Sequence, residues 1–292
     1  MILGRNLNQI GYVNRESSST AEGTFLFAQG VLDLMKDNHE KGIPVTCIEI
    51  PQNFNKLDFS SIEEESRESD VIWSTFQFIK SNRHRLFFFL PNYFFLGSQI
   101  EGVVEESKSV ITELSTFLDQ IGVKETSIIL RIGSAYGARK TTMERFCKEV
   151  KSLGDTVVEK LSVCNDEKPS LFSVTDLLSG VFYSAGLPIV FRFLPHQFNS
   201  GGLSTREAYF LAVSTWVKGK VPIFIHSESR EVDENGVSLS PVPSDTLLHR
   251  IPTFGLEIDV ILDIPSGLQG CLVYLANYIS LRPMVINKVG RK

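Results

Sequence analysis

The sequence predicts an α/β protein, a (β/α)₈ barrel of the TIM type, formed as one domain over residues 1–292, and three observations predict it. Short apolar, β-rich runs recur eight times, at intervals of roughly 30 to 40 residues, the period of that fold. Stretches with apolar residues at i, i+3, i+4 and i+7 separate most of them, as helices covering a barrel require. No Gly/Ser or Pro linker long enough to mark a domain boundary breaks the alternation.

Each element follows in order. The first run, 8–13, leads to a helical face within 25–38 carried by Leu26, Val31, Leu34 and Met35. The second run, 44–50, precedes a shorter face at 71–80, and the third, 85–90, precedes the longest, from Val103 through Val110, Leu114 and Phe117 to Ile121. A fourth run is expected at 127–133 and a fifth at 157–163, the latter interrupted by Glu159 and Lys160. Faces at 173–183 and 205–216 flank the sixth run, 187–194. After the seventh, 221–227, a polar insertion at 229–245 is expected to form a long loop over the barrel mouth, before the eighth run, 258–264, and a last helix at 268–279. The runs are nearly continuous apolar segments, as parallel strands covered on both faces must be.

With 42% hydrophobic residues the chain can build a large core, and a formal net charge of −5 excludes a global field drawing it to nucleic acid. Four cysteines without C-x-x-C spacing argue against a zinc knuckle or a disulfide scaffold and fit a reducing setting. The polar start 1–8 does not read as a signal peptide, and the apolar stretch 86–97 is broken by Pro91 and Asn92 and too short to cross a bilayer. A soluble, intracellular (cytoplasmic) protein with no membrane contact is expected.

In barrels of this type the chemistry sits at the C-terminal strand ends. Here they carry Leu90, Arg131, Cys164, Arg192, Pro195, Ile223, Ile225 and Asp263, few of which can do acid–base or metal chemistry. No Ser/His/Asp order appears, and Gly133-Ser134-Ala135-Tyr136-Gly137 is too short and lacks the ending of a phosphate loop. Histidines 196, 226 and 249 with Asp259 and Asp263 could in principle supply a replacement zinc set. His226, however, has strand parity opposite to Ile223 and Ile225 and should face the helices, so structural histidines are expected instead.

The order and spacing of several segments resemble the UV-damage endonuclease family. They include Ile10-Gly11-Tyr12, Asn38-His39, the loop Leu90-Pro91-Asn92-Tyr93-Phe94-Phe95-Leu96-Gly97-Ser98, Arg131 through Gly137, Arg145-Phe146, Cys164-Asn165-Asp166, Gly186 through His196, Thr215-Trp216, Pro222 through Glu228, Pro243-Ser244-Asp245 and Asp259 through Asp263. The resemblance implies a barrel whose strand-end histidines, carboxylates and modified lysine hold divalent metals that activate water and clamp DNA phosphate. The positions matching those ligands are Leu90, Arg131, Cys164, Arg192, Pro195, Ile223, Ile225 and Pro243, with Asp263 the one surviving carboxylate. No metal or other cofactor is therefore expected. An arginine can occupy metal space and hydrogen-bond a carboxylate. Arg131 or Arg192 is thus expected either to pair with Asp263 or Asp259, with Leu90, Ile223 and Ile225 packing around them, or to form an anion pocket.

Where the resemblance places a DNA-probing wedge, this chain has Tyr93-Phe94, followed by Phe95 and Leu96, with Arg139 and Lys140 available for phosphates. The same apolar loop could anchor a protein partner or tuck into the rim, and the acidity of the chain favours the protein partner. The sequence thus points to a non-catalytic barrel serving as a binding or structural subunit of a larger assembly. The alternatives are a binder of distorted or single-stranded DNA or, third, a metal-dependent nuclease. No small-molecule substrate is indicated.

Overall fold

The computed structural model describes residues 20–51, 54, 57–123, 125–135 and 138–278, together with the backbone of 2–7. Eight parallel strands close into a barrel in sequence order: β1 Ile2–Leu7, β2 Val45–Glu49, β3 Arg85–Phe89, β4 Ser127–Leu130, β5 Leu161–Cys164, β6 Ile189–Arg192, β7 Ile223–His226 and β8 Asp259–Leu262. Closure is made by β1, which pairs with β2 through Gly4↔Val45 and with β8 through Ile2↔Asp259. The opening strand is therefore Ile2–Leu7, and the expected run 8–13 lies outside the described residues.

Helices α1 Thr20–Glu40, α2 Arg67–Asn82, α3 Glu101–Gln120, α4 Arg139–Lys151, α5 Asp155–Val158, α6 Val174–Leu177, α7 Tyr183–Ala185, α8 Phe193–Phe198, α9 Thr205–Ser214 and α10 Leu268–Tyr278 surround it, with a π-helical turn, Leu178–Phe182, joining α6 to α7. Several starts are locally encoded. The Ser66 hydroxyl caps α2 by accepting from the Ser69 N–H, and Ser173/Asp176 and Ser204/Glu207 form capping boxes at α6 and α9. On α3 the buried set Val104, Ser107, Val110, Ile111, Leu114 and Phe117 follows the helical period and faces the strands.

Two element assignments differ from the sequence expectation. Residues 157–158 of the fifth expected run instead end α5, and Lys160, whose ammonium bonds Ser115 Oγ and the Thr156 carbonyl, precedes a strand of four residues. The sixth run turns from strand to helix at Phe193, where apolar continuity conceals the change. The 229–245 insertion is a small antiparallel excursion with bridges Ser229↔Pro243 and Val232↔Ser238, reversed at Asp233, whose carboxylate accepts from the Asn235 and Val237 N–H groups. It folds against α8, where Ser238 bonds Gln197.

Strand parity divides the core. Val45, Cys47, Phe87, Phe89, Ile129, Cys164, Val190, Ile223, Ile225 and Ile261 fill the barrel interior, while the alternate residues pack under the helices. At the floor, the N-terminal strand ends, Arg85 forms an ion pair with the fully buried Asp259, and Ser127 bonds Ser162 at 2.6 Å. The charged mouth lies at the other end. Among the described residues no helix is long and apolar enough to cross a membrane.

Candidate functional site at the barrel mouth

Arg131 follows β4 directly and is buried, and its guanidinium is fully engaged. Nε donates to Asp166 Oδ1 at 2.7 Å, Nη2 to Glu167 Oε2 at 2.8 Å and Nη1 to Asn92 Oδ1 at 2.7 Å. Nη2 also forms an ion pair with Asp166. Burial alone would draw the guanidinium's pKa down, but the Asp166 and Glu167 carboxylates reverse this and raise it. Glu167 in turn is held below the usual carboxylate range: burial opposes its charge, and Arg131 with Arg192 overcomes that.

Arg192 ends β6, and the Asn165 side chain brackets its backbone, accepting from its N–H at 2.8 Å and donating to its carbonyl at 3.1 Å. Its guanidinium lies 3.7 Å from Glu167, with the guanidinium carbon 5.9 Å from the centre of the Phe89 ring. Its buried Nε has no hydrogen-bond partner among the described residues.

The expected pairing of an arginine with Asp263 or Asp259 is thus corrected in its partners. Arg131 takes Asp166 and Glu167, because β4 is hydrogen-bonded to β5 and the segment leaving β5 carries both carboxylates. Asp259 does pair with an arginine, but with Arg85 at the opposite end of the barrel. Asp263 remains at the mouth with Glu49, a residue the sequence reading missed. Together with Phe89, Pro91, Asn92, Arg131, Arg192 and Ile225 they line a cavity of about 210 Å³. Burial, then the neighbouring Asp263, raises the pKa of Glu49, and Arg192 and Arg131 oppose the rise.

The other strand-end residues are structural. Leu90 belongs to the layer beneath the helices and not to the barrel interior, so Phe89 fills the place expected of it, while Ile223 and Ile225 do face inward. Cys164 is fully buried, and burial pushes its thiol up to about 11. Pro195 is buried in the first turn of α8, and Pro243 bridges to Ser229. His226 packs outward against Phe193 with ring centres 5.0 Å apart, as its parity predicts, and His196 packs on Phe191 at 5.2 Å. His249 is exposed beside Glu228, so the three histidines do not converge on Asp263. Among the described residues no three His, Cys, Asp or Glu side chains stand together as a metal site.

The rim loop corrects the expectation of a bare apolar patch. Phe94 is 3% exposed and Leu96 2%. The Tyr93 hydroxyl donates to the Ile50 carbonyl at 2.6 Å, and Phe95 lies against Gly133, where a Cβ would meet its ring at 2.7 Å. Gly133 has φ +105°, so a side chain there would be strained as well as crowded. Arg139 is tied to Asp176 and lies over the Phe172 ring, whereas Lys140 is 89% exposed, with Glu144 at 4.0 Å.

A profile described as UV-endonuclease UvdE matches residues 66–247, more than half of the chain. The chain belongs to the UvdE family. Among UvdE relatives, the UV DNA damage endonuclease of Clostridium perfringens (strain 13 / Type A) is 30% identical over 171 residues, covering 58% of this chain and 40% of that protein. The UV DNA damage endonuclease of Bacillus pumilus (strain SAFR-032) is 24% identical over 203 residues, covering 66% and 62%. The matches thus span less than two thirds of those relatives' own length. The crystal structure of SacUVDE superposes with a TM-score of 0.75 at 21% identity, covering 95% of this chain and 98% of that one. Endonuclease IV from Thermus thermophilus superposes at 0.61 with 14% identity, covering 95% and 97%. Both likenesses bear on the fold. The metal cluster that the resemblance to UvdE proteins implies does not fit the residues present, since a hydrogen-bonded guanidinium, a hydrocarbon layer and two prolines stand where donors are required.

Proposed function

We propose that this UvdE-family barrel does not cleave DNA and acts as a binding or structural subunit of a larger assembly. The observation that carries this is Arg131: at the position matched to a family histidine stands a cation already neutralised by Asp166 and Glu167. A divalent ion there would meet a fixed positive charge whose neighbouring carboxylates, Asp166 and Glu167, are already committed to it. The balance of charge disfavours DNA phosphate, because Glu49, Asp166, Glu167 and Asp263 outnumber Arg131, Lys168 and Arg192 around the mouth. Support for a protein partner comes from the 229–248 excursion, which exposes Val232, Val237, Leu239, Val242 and Leu248 in place of the buried rim loop.

The test is incubation of ultraviolet-irradiated duplex DNA with the protein and Mn²⁺ or Mg²⁺. No strand scission above a no-protein control is expected, and none in the double variant Arg131→His/Cys164→Glu, since the remaining ligand positions stay hydrocarbon, proline or arginine. Metal-dependent cleavage by the unaltered chain would overturn the proposal.

A further inference from the structure

We propose that the mouth cavity is a binding site for a small zwitterion of amino-acid size, with an ammonium group seated on Glu49 and Asp263 and a carboxylate on Arg192 and Asn92. The inference rests on the reading that no metal occupies the mouth. Among the described residues neither Glu49 nor Asp263 makes a side-chain hydrogen bond or ion pair, although both line a cavity that Arg192 also lines. Opposite charges in a partly buried chamber attract strongly, so an uncollapsed gap between them costs desolvation that a bridging dipolar ligand offsets.

The donors are ready. Arg192 Nη1 is shared between the Asn165 carbonyl at 3.4 Å and Glu167 at 3.7 Å, while its Nη2 makes no hydrogen bond or ion pair among the described residues, and Asn92, whose carbonyl oxygen accepts from Arg131, keeps its amide N–H groups free to donate. Arg131 cannot take the ligand's carboxylate, because Asp166, Glu167 and Asn92 already hold it. This disfavours the anion pocket: a phosphate would face one arginine already shared with Glu167, and two carboxylates. A simple cation would leave Arg192 Nη2 without an acceptor. The cavity's volume of about 210 Å³ lies below the usual range for larger organic ligands, and its apolar walls Phe89, Pro91 and Ile225 suit a short aliphatic body.

Calorimetric titration of the full chain with L-alanine tests this, with ethylamine and propionate as half-ligands and elemental analysis of the same preparation. L-alanine is expected to bind at least tenfold more tightly than either half-ligand. Arg192→Gln and Glu49→Gln should each weaken it at least tenfold, while Lys140→Ala leaves it unchanged. Should either variant fold poorly, Asp263→Asn provides a second probe of the ammonium half. Absence of binding at millimolar L-alanine, or equal binding of a half-ligand, would overturn the proposal. Stoichiometric Mn or Zn in the preparation would instead defeat the reading of function on which it rests, so the two failures are distinguishable.

Discussion

Arg131 shows how a buried charge is held in this barrel and how its loss is felt. Removing one partner of a buried pair orphans the other at roughly 3–5 kcal/mol, while removing both with apolar groups of similar size costs far less. Arg131→Leu and Asp166→Leu are each expected to lower stability by an amount in that range, and the double variant by less than the sum, as read from urea denaturation. The sequence suggests the wrong partner because Asp263 is the surviving family carboxylate, whereas the strand neighbour decides the pairing: what leaves β4 meets what leaves β5. Histidines give the pH dependence. Burial pushes the pKa of His84 and of His226 down to about 4, with His39 and His249 adding to it. In the unfolded chain each titrates near 6.5, so between about 6.5 and 4 the unfolded state holds more protons. Stability is therefore complete above that window and falls as the pH drops through it, by roughly 3 kcal/mol per histidine. Neither ring nitrogen of His226 has a partner among the described residues, so His226→Phe should remove its share of this loss and flatten melting temperature against pH.

Elements are legible in proportion to the clarity of their burial pattern. Helix α3 declares itself because one face alone is apolar, and β3 because its interior and exterior are both apolar. Helix α4 gives no such signal: it is strongly polar, and Thr142, Phe146, Cys147 and Val150 form its narrow buried stripe. The rim loop misleads for a related reason, since four successive apolar side chains do not say whether they point outward or into the rim. Phe94 belongs to the core, so Phe94→Ala is expected to cost roughly 3–5 kcal/mol, measurable as a lowered denaturation midpoint. An interface anchor would leave that midpoint unchanged. Glu49 escapes notice because its chemistry depends on which of eight strand ends face one another, information that lies in closure and not in any local motif.

Closure is also what the whole molecule adds to its parts. The eightfold rhythm of the chain specifies the barrel, while the mouth is assembled from β2, β3, β4, β6, β7 and β8, whose mutual placement only the closed ring defines. The ion pair at the floor joins Arg85 to Asp259 across 174 residues of sequence. A contact so distant along the chain forms only after loop-closure entropy has been overcome, which places it late on the route to the native state. Interactions absent from the transition state govern how fast a protein comes apart, not how fast it assembles. In stopped-flow chevrons compared with wild type, Asp259→Ala is therefore expected to shift the unfolding limb upward while the refolding limb stays in place. The pair would then act as a latch on the finished ring: a device that sets the lifetime of the native protein and leaves the speed of its making untouched.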